Sequence, residues 1–166
     1  EIAHKRLRVD KEEQRPRIRA LFQREYDTLA RLKHPNIVEV YDYGYDEQGA
    51  YYVMEWLSGD DLSKRAPLPY REACAVLRDV ASALALVHTR RFVHRDVSPN
   101  NVRLTRNGVA KLIDFGALTT FGRPAEIAGT PAFIAPECLR DLQLDQRTDI
   151  YALGALAYWA LSGRPA

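Results

Sequence analysis

The sequence contains no apolar run long enough to cross a membrane, and it carries little net charge. The longest apolar segment is Ile150–Leu161, which is shorter than the roughly 20 residues that a spanning helix needs, and we expect it to form a buried helix. The formal net charge is +2, so no strongly basic surface of the kind that binds nucleic acids or anionic lipids is expected. We therefore expect no nucleic-acid partner, no membrane contact from this segment and a cytoplasmic location, with any membrane tether lying outside the segment.

Cysteine is also scarce. Only Cys74 and Cys138 are present, and two isolated cysteines neither build a disulfide framework nor supply a zinc-ligand cluster. Both are interpreted as unpaired thiols in a reducing compartment. The chain is 46% hydrophobic and 28% charged, a composition that supports a packed core and excludes an intrinsically disordered segment.

Hydrophobic periodicity predicts a mixed α+β arrangement of helices and strands. Two long helices are expected, one with apolar residues at helical spacing from Ile18 to Leu32 and one over Tyr70–Thr89. A third helix is expected to begin with Thr148 as its N-cap. Residues 116–135 are expected to form a long irregular loop. The expected strands are Ile2–Leu7, Ile37–Tyr43, Ala50–Trp56, Val102–Leu104 and Ala110–Ile113.

One carboxylate interrupts the apolar stripe of the first helix. Glu25 lies seven residues after Ile18 and four before Leu29, on the same helical face. A buried carboxylate is costly unless a cation or hydrogen-bond donors meet it, and Lys5 in the first strand is the expected partner. The alternative is that Glu25 lies at the margin of the stripe and contacts water.

Two short motifs carry the chemistry. The motif His94–Asp96 is followed by Asn101, and the motif Asp114–Gly116 begins thirteen residues after Asn101. Strand-like sequence separates the motifs, so two carboxylates and one amide are placed in two turns. An Asp beside an acceptor hydroxyl, with an Asn and an Asp around divalent cations, is what phosphoryl transfer requires. In this order and at this spacing, the two motifs resemble the catalytic loop and the metal-binding loop of protein kinases.

The resemblance to protein kinases extends over essentially the whole chain and implies a bilobal α+β kinase-like fold, present in part. Residues 1–54 would form a small lobe without its first two strands, because no glycine-rich loop precedes Lys5. Residues 55–57 would be the hinge, and residues 58–166 would form a mainly helical large lobe without its last helices. We expect that truncation at both ends leaves the segment itself a poor enzyme.

The class of kinase is indicated by a few residues around the catalytic motifs. Thr130, Pro131 and Pro99 favour the serine/threonine class, and the chain resembles bacterial, eukaryotic-like (Hanks-type) serine/threonine protein kinases. The resemblance implies that the parent protein transfers the γ-phosphoryl group of ATP to a serine or threonine hydroxyl of a protein substrate. ATP and Mg²⁺ are the cofactors that it implies.

The functional positions of the family have counterparts in this sequence. The resemblance implies that Lys5 binds the α- and β-phosphates with Glu25 as its partner, and that Asp96 is the catalytic base. Asn101 and Asp114 would bind Mg²⁺, which prefers hard oxygen donors. Adenine would contact a set of residues around the hinge: Ala3, the gatekeeper Met54, Glu55, Leu57 and Arg103.

The family also implies supporting and regulatory residues. Asp149 would hold the backbone of the catalytic loop. Glu126 lies four residues before Thr130, where many kinases carry an activating phosphothreonine, and its charge is expected to pair with Arg95 without phosphorylation. The regulatory candidates among the threonines are Thr119, Thr120 and Thr130. An apolar column between the lobes would consist of Val40, Leu29, Phe115 and His94.

Two positions depart from the family pattern and leave alternatives open. Ser98 stands where serine/threonine kinases usually have a lysine that stabilises the transferring phosphate. Arg103 stands where an aliphatic floor for adenine is usual, and we expect its alkyl stem to serve while the guanidinium reaches solvent. A pseudokinase or nucleotide-binding signalling scaffold is therefore the alternative function. A small-molecule phosphotransferase is disfavoured, since those usually lack the motifs Asp114–Gly116 and Ala135–Glu137.

Overall fold

Short strands and helices alternate along the chain. The computed structural model describes residues 1–7, 15–124, 126–140 and 142–165. Within these ranges the helices are α1 (Arg15–Leu29), α2 (Tyr70–Thr89), α3 (Pro136–Leu139) and α4 (Gln146–Ser162). The strands are β1 (Ile2–Arg6), β2 (Val40–Asp46), β3 (Gly49–Glu55), β4 (Phe92–Val93), β5 (Val102–Leu104), β6 (Ala110–Leu112) and β7 (Thr119–Thr120). The mixture confirms the predicted α+β class.

The first three strands form an antiparallel sheet in the order β1-β3-β2. Lys5 of β1 and Tyr43 of β2 both pair in register with Tyr52 of β3, so the three side chains form one row on one face of the sheet. Helix α1 lies over that face. Phe22 stacks on Tyr52 with 5.0 Å between ring centroids, and Tyr26 lies 5.4 Å from Tyr43. The register thus places Lys5 beneath α1.

The strand predicted over Ile37–Tyr43 begins later, at Val40. Its first two apolar residues do not join the sheet. Ile37 forms a bridge with Leu112 of β6, and the N–H of Val38 donates to the Leu112 carbonyl at 2.9 Å. Both residues are fully buried, so their apolar character reflects contact with the helical part of the molecule rather than membership of the sheet.

Helix α1 ends earlier than its apolar pattern predicts. It stops at Leu29, so Leu32 is buried beyond the helix rather than on its stripe. Leu21, also assigned to the stripe, is exposed. The buried positions that remain on the helix are Phe22, Glu25 and Leu29, which places a carboxylate at the centre of an apolar face.

The mainly helical part is organised around α2, whose observed range is the predicted one. Its apolar residues recur every three or four positions, the spacing of one helical face. Helix α4 and the hairpin formed by β5 and β6 pack against it, and one hydrophobic core joins these elements to the sheet. The buried apolar residues of α2 are Ala73, Val76, Val80, Ala83, Leu84 and Val87.

Helix α4 differs from the prediction at its start. Its N-cap is Asp145, whose side chain accepts a hydrogen bond from the Arg147 N–H at 2.8 Å. Thr148, the predicted cap, lies in the first turn and donates to Glu137 at 2.8 Å. Both residue types are good caps, and the choice depends on the tertiary contact that Thr148 makes with Glu137.

Helix α4 is also less buried than expected, because only one of its faces packs. The packed residues are Ala152, Leu156 and Ala160, while Ile150, Tyr151, Tyr158 and Leu161 are about half exposed. Nearly every position is apolar, so the sequence could not indicate which face packs. Among the helices in the described ranges, none is both long and apolar enough to span a membrane.

The loop after β3 approaches β5 so closely that only glycine fits at position 59. A Cβ atom there would overlap the carbonyl oxygen of Leu104, whose N–H donates to the Asp60 carbonyl at 3.0 Å. We expect Gly59→Ala to lower the free energy of unfolding by about 2–3 kcal/mol. On α4, a Cβ at Gly154 would meet nothing within 4 Å, so the control Gly154→Ala should raise it by about 1 kcal/mol. Urea unfolding compares the two variants, and equal stability would contradict the close packing.

Candidate active site

Lys5 forms ion pairs with two carboxylates. Its Nζ atom lies 2.7 Å from Oε1 of Glu25 and 3.0 Å from Oδ1 of Asp114. Strand β1 supplies Lys5, helix α1 supplies Glu25, and the loop after β6 supplies Asp114, so three elements converge on one cation. The predicted ion pair between Lys5 and Glu25 is confirmed, because the Glu25 side chain is turned inward and is only 6% exposed.

Burial and charge act against each other in this cluster. Burial lowers the pKa of Lys5, but the attraction of the two carboxylates outweighs it, so the pKa is raised. Burial raises the pKa of Glu25, and Lys5 offsets this only in part. Burial also acts to raise the pKa of Asp114, but Lys5 and the N–H of Gly116 lower it overall. Lys5 therefore stays protonated and Asp114 ionised at neutral pH, whereas the charge of Glu25 depends on its partners.

Two further donors meet Glu25. Its Oε1 atom accepts hydrogen bonds from the hydroxyl of Tyr52 at 3.1 Å and from the N–H of Phe115 at 3.3 Å. Phe115 directly follows Asp114, so Glu25 connects the sheet to the loop that carries the second carboxylate. Sequence reasoning missed Tyr52, because an apolar strand pattern gives no sign of where a tyrosine hydroxyl ends.

The catalytic-loop motif brings a carboxylate and an amide together. Nδ2 of Asn101 donates to the carbonyl of Asp96 at 3.0 Å and to its Oδ2 at 2.7 Å. Both partners are acceptors, so the amide nitrogen faces Asp96 and the amide oxygen points away from it. The N–H of Ile113 donates to the Asn101 carbonyl at 3.1 Å, which places Asn101 beside the residue that precedes Asp114.

Thr130 lies against the same aspartate. Its N–H and its hydroxyl both donate to Oδ1 of Asp96, at 2.9 and 2.7 Å. Gly129 has φ 120°, and a Cβ atom there would collide with the Arg95 carbonyl, so glycine allows the loop to approach this closely. Thr130 was predicted as a regulatory candidate, and the structure places it at the carboxylate that the motif singles out.

A second buried carboxylate holds the backbone of the catalytic loop. Asp149 on α4 is fully buried and accepts hydrogen bonds from the N–H groups of His94 and Arg95, both at 2.9 Å. Arg95 has φ 68°, a left-handed conformation that costs energy in a residue with a side chain, and Asp149 stabilises it. The contact predicted for Asp149 is confirmed. His88 at the end of α2 lies 2.7 Å from the same carboxylate, a partner that sequence reasoning missed.

Residues 1–166 match the protein kinase domain. The chain belongs to the protein kinase family. It is 38% identical over 151 residues to the serine/threonine-protein kinase PknL of Mycobacterium tuberculosis, 34% over 179 residues to PknB of Mycobacterium leprae, and 35% over 173 residues to PrkC of Bacillus subtilis. These matches cover 86%, 99% and 99% of this chain but only 38%, 29% and 26% of those proteins. The predicted resemblance to bacterial serine/threonine kinases and the kinase-like α+β fold are thereby confirmed.

The kinase domain contains the predicted apolar column. The rings of His94 and Phe115 meet edge to face, 4.6 Å apart, and both residues are buried. Leu29 is buried in the same core, and Val40 packs against it. Burial lowers the pKa of His94 against the opposing charge of nearby aspartates, Asp149 foremost, so His94 is a neutral packing residue.

The predicted regulatory residues surround Arg95. Its Nε donates to the Ala117 carbonyl, and its Nη1 donates to the main-chain carbonyl of Glu126 at 3.0 Å. Burial lowers the pKa of Arg95, and the charge of Glu126 opposes this shift. The expected approach of Glu126 to Arg95 is therefore confirmed, with the main chain providing the hydrogen bond. Thr119 and Thr120 form β7, which pairs with β4.

The residues predicted to surround adenine lie along the edge of the sheet. Ala3 of β1 pairs in register with Met54 of β3, and both are half-buried. Glu55 follows, and its carboxylate is held by Lys111 and by the Glu39 N–H at 2.9 Å. Leu57 is buried. The side chain of Glu55 is thus turned to the helical part of the molecule.

Arg103 differs from the expectation that its guanidinium reaches solvent. Its Nε donates to the Gly59 carbonyl at 2.9 Å, and its Nη1 lies 3.6 Å from Oδ1 of Asp61. The guanidinium therefore ties β5 to the loop after β3. The loop comes within reach because Gly59 packs directly on the neighbouring Leu104 carbonyl.

The oxygen atoms of Asn101 and Asp114 fit a magnesium ion. The amide oxygen of Asn101 and Oδ2 of Asp114 make no hydrogen bond to another described residue, and both are hard oxygen donors. Within the described ranges, no group of three His, Cys, Asp or Glu side chains could hold a metal alone. This agrees with the usual way of binding Mg²⁺, by one or two protein ligands together with phosphate oxygens and water.

Removal of Lys5 should leave Glu25 as a buried carboxylate without its cation. We expect Lys5→Met to lower the free energy of unfolding by about 2–4 kcal/mol. Because burial already raises the pKa of Glu25, this loss should be smallest below the ordinary pKa of glutamate and should grow as pH rises through the folded pKa.

Urea unfolding at about pH 5 and pH 8 measures this cost. The double variant Lys5→Met/Glu25→Gln is the matched control, since it removes the charge that is left unpaired and should recover part of the stability. A cost that is equal at both pH values and unaltered by Glu25→Gln would contradict the ion pair.

Proposed function

We propose that this kinase domain acts within a serine/threonine protein kinase that transfers the γ-phosphoryl group of ATP to a serine or threonine hydroxyl of a protein. The observation that supports this most directly is the meeting of Lys5 with Glu25 and Asp114, next to the Asp96–Asn101 pair. The similar proteins carry the names of serine/threonine kinases. Residues 1–54 and 58–166 would serve as the two lobes, joined by a hinge at residues 55–57.

The proposed nucleotide site uses residues from both lobes. Lys5 would bind the α- and β-phosphates, with Glu25 holding its ammonium group in place. Asn101 and Asp114 would hold Mg²⁺, which neutralises phosphate charge when bound. Adenine would lie against a set of residues at the edge of the sheet and on β5: Ala3, Met54, Glu55, Leu57 and Arg103.

Asp96 is the proposed base. Its Oδ2 is fixed by Asn101 and its Oδ1 by Thr130, so the carboxylate has one orientation. The acceptor hydroxyl would approach Oδ1 beside Thr130. As the acceptor oxygen forms its bond to the γ-phosphorus, the bond to the β-phosphate oxygen breaks and the hydroxyl proton passes to Asp96. Thr130 then helps to select the acceptor, because it occupies the same side of the carboxylate.

A cytoplasmic location is proposed on two grounds. ATP is the phosphoryl donor in this reaction and is abundant in the cytoplasm. Cys74 and Cys138 are both free thiols, which fits a reducing compartment.

Asp96→Asn tests the assigned base. In the full-length protein, we expect this variant to lower the rate of phosphoryl transfer by about 10²–10⁴-fold and to leave the affinity for Mg-ATP nearly unchanged, because the base acts in the chemical step. Transfer of radiolabel from γ-labelled ATP to protein measures the rate.

The exposed Asp27 on α1 provides the matched control, and Asp27→Asn should be as active as the parent. Equal turnover by Asp96→Asn and the parent would contradict the role. A parent that binds Mg-ATP but transfers nothing would instead support the pseudokinase alternative.

Ser98→Lys tests the missing cation. Ser98 is fully buried and its hydroxyl has no hydrogen-bond partner among the described residues, and the groups that hydrogen-bond Asp96 there are all uncharged. We expect the lysine to raise turnover by about tenfold, since it places a positive charge near the transferring phosphate. The exposed Ser63 gives a control, and Ser63→Lys should change nothing. Unaltered turnover of Ser98→Lys would mean that the charge is supplied elsewhere.

Glu126→Ala tests the proposed regulation. The main-chain bond from Arg95 survives the change, so only the charge is lost, and we expect activity to fall by about two- to fivefold. Added salt should shrink the difference, because it screens exposed charges. The control is Glu47→Ala in the turn between β2 and β3. Equal activity of Glu126→Ala and the parent at low salt would refute the regulatory role.

A further inference from the structure

Tyr52 lies at the centre of the sheet, between two other members of the same row. It is fully buried, and it pairs in register with Lys5 on one side and with Tyr43 on the other. Its ring is held from above by α1, with centroids 5.0 Å from Phe22 and 6.0 Å from Tyr26. The position of its hydroxyl is therefore fixed by packing on three sides.

That hydroxyl is directed at Glu25. It donates to Oε1 at 3.1 Å, the same atom that accepts from Nζ of Lys5 at 2.7 Å and from the N–H of Phe115 at 3.3 Å. Burial, with the neighbouring charge of Glu25 and Asp114, raises the pKa of Tyr52. The phenol therefore remains a protonated donor, as a buried carboxylate oxygen requires.

From this geometry we propose that Tyr52 is a positioning residue for the nucleotide site: its hydroxyl keeps Oε1 of Glu25 turned to Lys5, so that the ammonium group is held where the phosphates bind. The inference rests on the proposed function. Without the hydroxyl, Glu25 keeps only the Phe115 N–H as a fixed second donor. Its carboxylate can then rotate, and Lys5 moves towards Asp114, which is needed for the metal.

Two neighbouring tyrosines provide matched controls. The hydroxyl of Tyr43 lies in the same row but bonds to the hydroxyl of Tyr45 at 2.7 Å instead of to Glu25. Tyr51 is adjacent in sequence and stacks on His4, with 5.4 Å between ring centroids, away from the row. Each tyrosine-to-phenylalanine change removes one hydroxyl and leaves the ring.

The test is the affinity of the full-length protein for Mg-ATP, measured by calorimetry. We expect Tyr52→Phe to weaken binding about fivefold, as loss of one hydrogen bond to a charged group predicts. Tyr43→Phe and Tyr51→Phe should stay within about twofold of the parent. In a Glu25→Ala background, Tyr52→Phe should cause no further loss, because the acceptor is gone. Circular dichroism confirms that each variant is folded.

Each result decides the proposal. Loss with Tyr52→Phe that depends on the presence of Glu25 supports it. Parent-like affinity of Tyr52→Phe overturns it and leaves the proposed function standing. Equal loss with and without Glu25 also overturns it, since the hydroxyl would then act through packing alone. Failure of the parent itself to bind Mg-ATP refutes the proposed function, and the positioning role with it.

Discussion

The site depends on the burial of one carboxylate. Glu25 is 8% exposed, on a helix face that otherwise packs on aromatic rings, and burial alone would favour its neutral form. Donors from β1, β3 and the loop after β6 converge on one of its oxygens: Lys5, Tyr52 and Phe115. The seating of α1, the register of the sheet and the position of Asp114 are therefore fixed together, and a change in any one of them leaves a buried charge unsatisfied.

A second buried carboxylate does for the catalytic loop what Glu25 does for the sheet. Asp149 holds two successive backbone N–H groups and the side chain of His88. The ring of His94 then meets Phe115, whose own N–H donates to Glu25. The two carboxylates are thus connected through two packed rings, so the phosphate-binding side and the catalytic side of the proposed site share one core.

The sequence predicts the part of the site that follows from pattern. Glu25 on an apolar stripe demands a cation, and the pair with Lys5 is confirmed. Contacts made by irregular segments do not follow from pattern. Thr130 reaches Asp96 across 34 residues of chain, and the guanidinium of Arg103 turns to a carbonyl in another loop. Both depend on loops whose paths are set by tertiary packing, which neither periodicity nor propensity encodes.

The central claim is that Lys5, Glu25 and Asp114 form a magnesium-dependent nucleotide site. Calorimetric titration of ATP into the full-length protein across a series of Mg²⁺ concentrations tests it most directly, with Asp114→Asn beside the surface control Asp42→Asn. The account predicts saturable binding that strengthens with Mg²⁺ in the parent and the control, and that loses this dependence in Asp114→Asn. Identical affinity of Asp114→Asn and the parent at every Mg²⁺ concentration would contradict it.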